Sequence, residues 1–201
     1  MPIRTEQDRT RREKAADGAI AVIAESGLRG LTHRAVDART ALPPGTASSC
    51  FRTRQALIDA ALGRIIELDE AILDQLPPDW WRTPERAAET LTALLETWLG
   101  EARHHTRARM VLYLDASLAQ HNEALYKEAS LRFLGRAAEA MREVGFPAPE
   151  RTAGVFVSQL DGILFGALAR PFHPAADRAW LREAVEAVLR SLGTGGAAAR
   201  V

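Results

Sequence analysis

Residues 32–57 read THRAVDARTALPPGTASSCFRTRQAL, and the punctuation inside this stretch decides the fold. Thr32 stands where an N-cap belongs, its hydroxyl able to accept from a backbone N–H of the next turn, and the spacing predicts a short helix to about Thr40. Ala41–Pro43 is a turn. A second short helix covers Pro44–Phe51, since a proline in a first turn gives up only an N–H that has no helical partner there. Two short helices joined by a tight turn make a helix-turn-helix, whose second helix is slim enough to enter a DNA major groove. That helix offers Gly45, Thr46, Ala47, Ser48, Ser49 and Cys50, with no large apolar side chain, so it makes a poor core helix. Small side chains and hydroxyls can instead come close to base edges and phosphates. The predicted DNA-contacting set is Arg34, Pro44, Gly45, Thr46, Ser48, Ser49, Cys50, Arg52 and Arg54. Arg9, Arg11, Arg12 and Lys14 at the start of the first helix are further candidates for phosphate. Charge and spacing alone also fit a solvated charged face beside an ordinary capped turn.

Working outward, the chain reads as helix throughout. Upstream, an Ala-rich segment from about Glu6 to Glu25 puts Ala16, Ile20, Ile23 and Ala24 on one face and stops at Ser26-Gly27. Downstream, Thr53 caps a longer helix to about Leu76. After Pro77-Pro78-Asp79, Thr83-Pro84-Glu85 reads as N-cap, first helical position and acidic first turn. The helix that follows carries Leu91, Leu94, Leu95 and Trp98 at i, i+3, i+4 and i+7. Further helices fit about 106–119, 122–143, 149–170 and 175–192, nine in all, with no alternating strand pattern and no internal repeat. The expected architecture is all-α: a helix-turn-helix domain over 1–52, a helical bundle over 53–193 and a flexible tail over 194–201.

Composition narrows the function. The chain has 201 residues, enough for one domain or two small ones, and 26 basic residues balance 26 acidic ones. The balance is uneven along the chain: residues 1–57 hold 10 basic and 6 acidic side chains, so a polyanion would meet this part. One cysteine excludes an internal disulfide framework and a multi-thiolate zinc site. No apolar run reaches the ~18–20 residues of a membrane helix, and Met1 to Lys14 lacks the apolar core of a secretory signal, so a cytoplasmic protein with no membrane partner is expected.

From Ala16 to Leu57 the sequence resembles the TetR family of transcriptional regulators. Ser26-Gly27, Thr32, Val36, Gly45-Thr46, Phe51 and Arg54-Gln55-Ala56-Leu57 fall at the family's motif positions. Arg54 takes the place of a basic residue that usually contacts phosphate at the start of the fourth helix. The family often has aromatic residues or histidine where this chain has Ser48 and Cys50, glycine where it has Ala41, and a small residue where it has Asp37. Such changes bear on affinity and operator preference more than on fold, because Val36, Leu42 and Phe51 keep the small core. The resemblance implies a homodimer on a palindromic double-stranded operator, released when a small, largely apolar effector binds the helical domain.

The residues of that domain fit these roles in part. Gly154, Ser158, Gly162 and Gly166 recur every fourth residue as a small-residue ridge. Each mid-helix glycine costs roughly 1 kcal/mol against alanine, an expense that close approach of another helix offsets. With Trp180, Leu181, Val185, Val188 and Leu189 of the last helix, the ridge gives a two-fold four-helix interface, or else packs within one subunit. Met110 to Asp115 is apolar nearly all round and reads as central. Trp80, Trp98, Met110, Tyr113, Leu114, Asp115, Phe156 and Gln159 are the candidates to line an effector pocket. For Asp115, Gln159 and Asp161 a side-chain, helix-end or water partner serves as well as a ligand.

Catalysis finds little footing, and no cofactor or metal is expected. His104-His105 point ~100° apart on a helix and cannot converge on an ion, and no nucleophile motif, phosphate loop or HExxH is present. Glu67, Asp69, Glu70 and Asp74 read as a solvated acidic face. Cys50 near Arg52 and Arg54 could be a redox sensor, but the chain has no resolving cysteine. The alternatives are an effector-independent helical DNA-binding protein and a small helical enzyme.

Overall fold

The computed structural model describes residues 10–115, 123–143, 146, 148–170 and 177–197. Among these residues every regular element is a helix: α1 Arg11–Gly30, α2 His33–Thr40, α3 Thr46–Cys50, α4 Arg54–Leu73, α5 Pro84–Leu99, α6 Arg103–Leu114, α7 Glu123–Glu143, α8 Pro149–Ala169 and α9 Arg178–Ala197. They form two compact units, Met1–Ala71 with His104–Leu125, and Ile72–Arg103 with Tyr126–Val201.

The first unit begins with a cap that sequence reading missed. Thr10 and Glu13 form a reciprocal capping box: the Glu13 N–H donates to the Thr10 hydroxyl at 3.2 Å, and the Thr10 N–H donates to the Glu13 carboxylate at 2.7 Å. The helix therefore starts at Arg11, later than the expected Glu6. Gly27, at φ 66°, breaks the helical geometry where Ser26-Gly27 predicted a stop, and one further turn carries the helix to Gly30. α1, α2 and α3 pack against one another around Ile20, Ile23, Leu31, Val36, Ala47 and Phe51, all buried, while Leu42 is half-buried. Full burial of each large apolar side chain stabilises by about 1.5–3 kcal/mol. Gly18 sits at a close approach of α1 to α2: a Cβ there would lie 2.3 Å from Thr40 Cγ2. α4 buries Leu57, Ile58, Leu62 and Ile65 and is tied to α1 by Arg64, which donates to Asp17 at 2.9 Å.

In the second unit, Thr83 caps α5 through the Arg86 N–H at 3.2 Å, with Pro84 in the first turn as expected. The stripe Leu91, Leu94, Leu95 and Trp98 is buried. α9 packs on α5 and α8, and α5 also touches α8. At the surface Arg182 donates to Glu89 at 2.8 Å and to Glu186 at 2.6 Å, and Arg178 pairs with Glu89 and Glu96.

Several expected helix ends move. α6 begins at Arg103 rather than 106, and the expected stretch 116–119 lies outside the described residues. α9 continues past Gly193 to Ala197 instead of yielding to a tail there, since glycine weakens a helix without forbidding it. By length and composition alone α8 is also long and apolar enough to cross a membrane, with a mean hydropathy of 1.4. Counting unbroken apolar runs misses it. Its buried face (Ala153, Phe156, Leu160, Leu164 and Ala167) belongs to the core of this unit.

Candidate nucleic-acid interface

α3 has only five residues, too short to hold itself by its own hydrogen bonds. Neighbouring elements hold it at both ends. At its start Gly45 adopts φ 87°, a left-handed conformation that glycine takes without strain, and supplies no side-chain cap. The cap comes from α2: Asp37 Oδ2 accepts from Gly45 N–H and Oδ1 from Ala47 N–H, each at 2.8 Å. The carboxylate is buried, and two charge-assisted bonds compensate its lost hydration. At the far end the Arg12 Nη1 donates to the Cys50 carbonyl at 2.8 Å while its guanidinium lies 4.4 Å from the Phe51 ring centroid. His33 Nε2 meets the Phe51 carbonyl at 2.7 Å; a carbonyl only accepts, so this nitrogen carries the proton.

Between these clamps the small side chains turn on their own backbone. Thr46 donates its hydroxyl proton to the Pro43 carbonyl at 2.6 Å, Ser48 to Gly45 at 2.9 Å and Ser49 to Thr46 at 2.8 Å. Ser48 and Ser49 are exposed, Thr46 and Cys50 half-buried, Pro44 and Gly45 exposed, and Ala47 alone is buried. Arg34 and Arg52 flank the helix, exposed and without an ion pair among the described residues. Arg54 is exposed too, but its guanidinium donates to the Leu28 carbonyl, fastening the start of α4 to the end of α1. Thus α3 and its flanks bring together the predicted contact set, while Arg12, expected at phosphate, is partly engaged inside the head.

Residues 82–194 match the family model described as the tetracyclin repressor-like, C-terminal domain. The chain belongs to the TetR family of transcriptional regulators. No curated protein matches it. Among solved structures, the all-helical fold of this TetR-family chain resembles a transcriptional regulator from Rhodococcus sp. Rha1, at 21% identity and TM-score 0.77 over 92% of this chain and 97% of that one. A TetR-family member from Streptomyces coelicolor A3 shares 25% identity and TM-score 0.66 over 90% of this chain and 98% of that one. The multidrug binding protein EbrR, solved with ethidium, shares 28% identity and TM-score 0.63 over 89% of this chain and 98% of that one.

Elsewhere in the TetR-family fold, the first unit holds a buried polar cluster that sequence reading misassigned. Asp69, expected on a solvated acidic face, has no exposed surface. Its Oδ2 accepts from Arg109 Nη1 at 2.5 Å and its Oδ1 faces His105 Nε2 at 3.1 Å, joining α4 to α6. Burial alone would push this carboxyl up; the charge of Arg109 and the hydrogen bond from His105 outweigh that and hold it below the ordinary aspartate range. The i, i+4 spacing of His105 and Arg109 was the available signal. Nothing local pointed to Asp69, 36 and 40 positions away.

The predicted effector-contacting residues divide between the units. Met110, Tyr113, Leu114 and Asp115 lie in the first, on or just after α6. That stretch is not buried all round as expected: Leu112 is buried, but Leu114 is 72% exposed. In the second unit Trp80 stacks on Trp81 at 4.1 Å, Trp81 meets buried Phe156 at 5.4 Å, and Trp98 meets Phe133 at 6.3 Å. Gln159 is half-buried and donates to the Ser191 hydroxyl of α9 at 3.3 Å. No group of three or more His, Cys, Asp or Glu among the described residues could hold a metal ion.

The expected interface residues also divide. Leu181, Val185 and Val188 are buried inside the second unit by α9 packing on α5 and α8, so the predicted apolar stripe is largely core. The glycine ridge is not: a Cβ built on Gly154, Gly162 or Gly166 meets no atom within 4 Å. Ser158 is exposed and bonds the Gly154 carbonyl, while Trp180 and Leu189 are half-buried. Gly162, Gly166 and Trp180 line an open groove of about 430 Å³ between α8 and α9.

Proposed function

We propose that this TetR-family regulator is a homodimeric, cytoplasmic repressor. It binds a palindromic double-stranded operator through α2 and α3, over residues 1–52, and lets go when residues 53–193 bind a small, largely apolar effector. The observation that carries the DNA part is the double clamp on α3. A five-residue helix with one buried side chain adds little to a core, yet Asp37, Arg12 and His33 are all committed to holding it at the surface. Arg34 and Arg52 stand beside it for phosphates, and Thr46, Ser48, Ser49 and Cys50 for base edges.

Dimerisation is supported by the outer face of α8. Val155 and Phe165 are 50% and 38% exposed beside the open glycine ridge, an apolar surface that suits a second copy of the same helix. A dimer that reads two half-sites needs its α3 helices ~34–36 Å apart, the spacing of successive major grooves. The effector is proposed from the likeness to EbrR, which was solved with ethidium, proflavin and malachite green, and from the aromatic groups Trp80, Trp81, Trp98 and Phe156. Release then requires an effector that prefers a conformer with misplaced recognition helices.

Selection of duplexes from a random pool at two salt concentrations tests this reading. A palindromic consensus is expected. Arg34→Ala or Arg52→Ala should weaken binding to all sequences and lower the salt slope by about 0.9 for each phosphate that is no longer neutralised. Absence of any enriched sequence would refute it.

A further inference from the structure

We infer that α3 reads DNA through hydrogen-bond acceptors: the hydroxyls of Thr46, Ser48 and Ser49 select bases that present an exocyclic amino group in the major groove, N6 of adenine or N4 of cytosine. The inference rests on the DNA-binding reading above and adds the chemistry of the bases chosen.

A hydroxyl owns one proton and two lone pairs. In α3 each proton is already spent, on the carbonyls of Pro43, Gly45 and Thr46. Those carbonyls cannot drift away, because Asp37 fixes the backbone at Gly45 and Ala47 while Arg12 and His33 fix it at Cys50 and Phe51. What remains for a ligand on each oxygen is its lone pairs. The major-groove edge of guanine offers only acceptors, O6 and N7, and thymine offers O4 and a methyl group; adenine and cytosine offer amino hydrogens. To meet guanine or thymine, a hydroxyl must swing its proton off the carbonyl, exchanging one bond for another with no net gain. An amino group adds a bond and leaves the internal one intact. One hydrogen bond gained without loss is worth about a fivefold preference per contact.

The rest of the helix points the same way. The five residues TASSC include no Arg, Lys, Asn or Gln, the long side chains that read guanine or adenine by paired bonds. Thr46 and Ser49 stand three residues apart and share a face, with Ser48 about 100° round, so the acceptors fan across neighbouring base pairs rather than converging on one.

The test uses the full-length protein and its selected duplex. Ser48→Ala and Ser49→Ala are compared with the wild type in repeated selections, which identifies the base positions each serine controls. Each such base pair holds one amino-bearing base, adenine or cytosine, and the contact to that amino group is what is probed. Replacing that base by N6-methyladenine or N4-methylcytosine, which keep the pairing but occupy the major-groove amino hydrogen, should weaken wild-type binding about fivefold and leave the matching alanine variant unchanged. Methylation that leaves wild-type binding unchanged, or that weakens wild type and alanine variant alike, would overturn the inference while leaving the DNA-binding reading in place. A pool with no consensus at all would remove both.

Discussion

Asp69 and Arg109 form an ion pair with almost no exposed surface, the carboxylate Oδ2 accepting from Nη1 at 2.5 Å. Taking such a pair out of water costs several kcal/mol, which their mutual attraction and hydrogen bonds roughly offset. Removing one partner deprives the other buried charge of this compensation. Asp69→Ala should therefore cost about 3–5 kcal/mol in a urea melt, whereas a paired Asp69→Leu, Arg109→Met replacement should cost far less. Equal losses in the single and double variants would show that the pair acts through packing alone.

The same pair predicts an acid limb. The folded-state pKa of Asp69 is depressed, so its contribution is fully present above the unfolded value of about 3.9 and drains away as pH falls from there through the lower folded value. Thermal melts between pH 7 and pH 3 should lose stability below about pH 4. In Asp69→Asn, stability should start lower and fall less steeply; parallel curves would assign the acid limb to other carboxylates.

Asp37→Ala removes both acceptors at the start of α3. Loss of such a cap typically costs about 1 kcal/mol, and up to 2. Operator affinity should fall by more than this loss of stability allows, because α3 is left without its fixed start. Parallel denaturation and binding titrations distinguish that from general unfolding: binding unchanged below the melting temperature would mean the clamp is only structural.

Ala41 ends α2 at φ 52°, in the left-handed region that a Cβ disfavours by roughly 1–2 kcal/mol. Ala41→Gly relieves this and loses part of the gain to unfolded-state entropy, so a rise of about 0.5–1 kcal/mol is expected. A fall in Tm would refute it.

Gly162→Leu places a side chain where a Cβ meets nothing within 4 Å, so the subunit should still fold, its helix no less stable for losing a glycine. Sedimentation should instead report a shift from dimer toward monomer. An unchanged dimer would move the interface away from the α8 ridge.

What sequence reading could reach was set by distance along the chain. Thr32, Thr53 and Thr83 were legible as caps because cap and capped N–H lie three residues apart, a signature written locally. The glycine spacing of α8 was legible for the same reason. Asp37 was readable only as a departure from a small residue, since its partners lie 8 and 10 positions on and only the folded turn brings them to it. Arg12 and His33 act across 38 and 18 positions, and Asp69 across 36 and 40, beyond any periodic pattern. The apolar stripe of α9 meets a related limit: amphipathicity says that a face is covered but not by which neighbour.

The frame that seats α3 is built from residues outside it, and Ala47 is its one buried side chain. Substitution at Thr46, Ser48, Ser49 or Cys50 therefore leaves Asp37, Arg12 and His33 in place and costs the head little stability. A lineage can drift through many four-residue combinations at this surface without first acquiring compensating changes. A duplicated copy of the gene could thus be retargeted to a new DNA sequence in a few single steps, each yielding a folded protein.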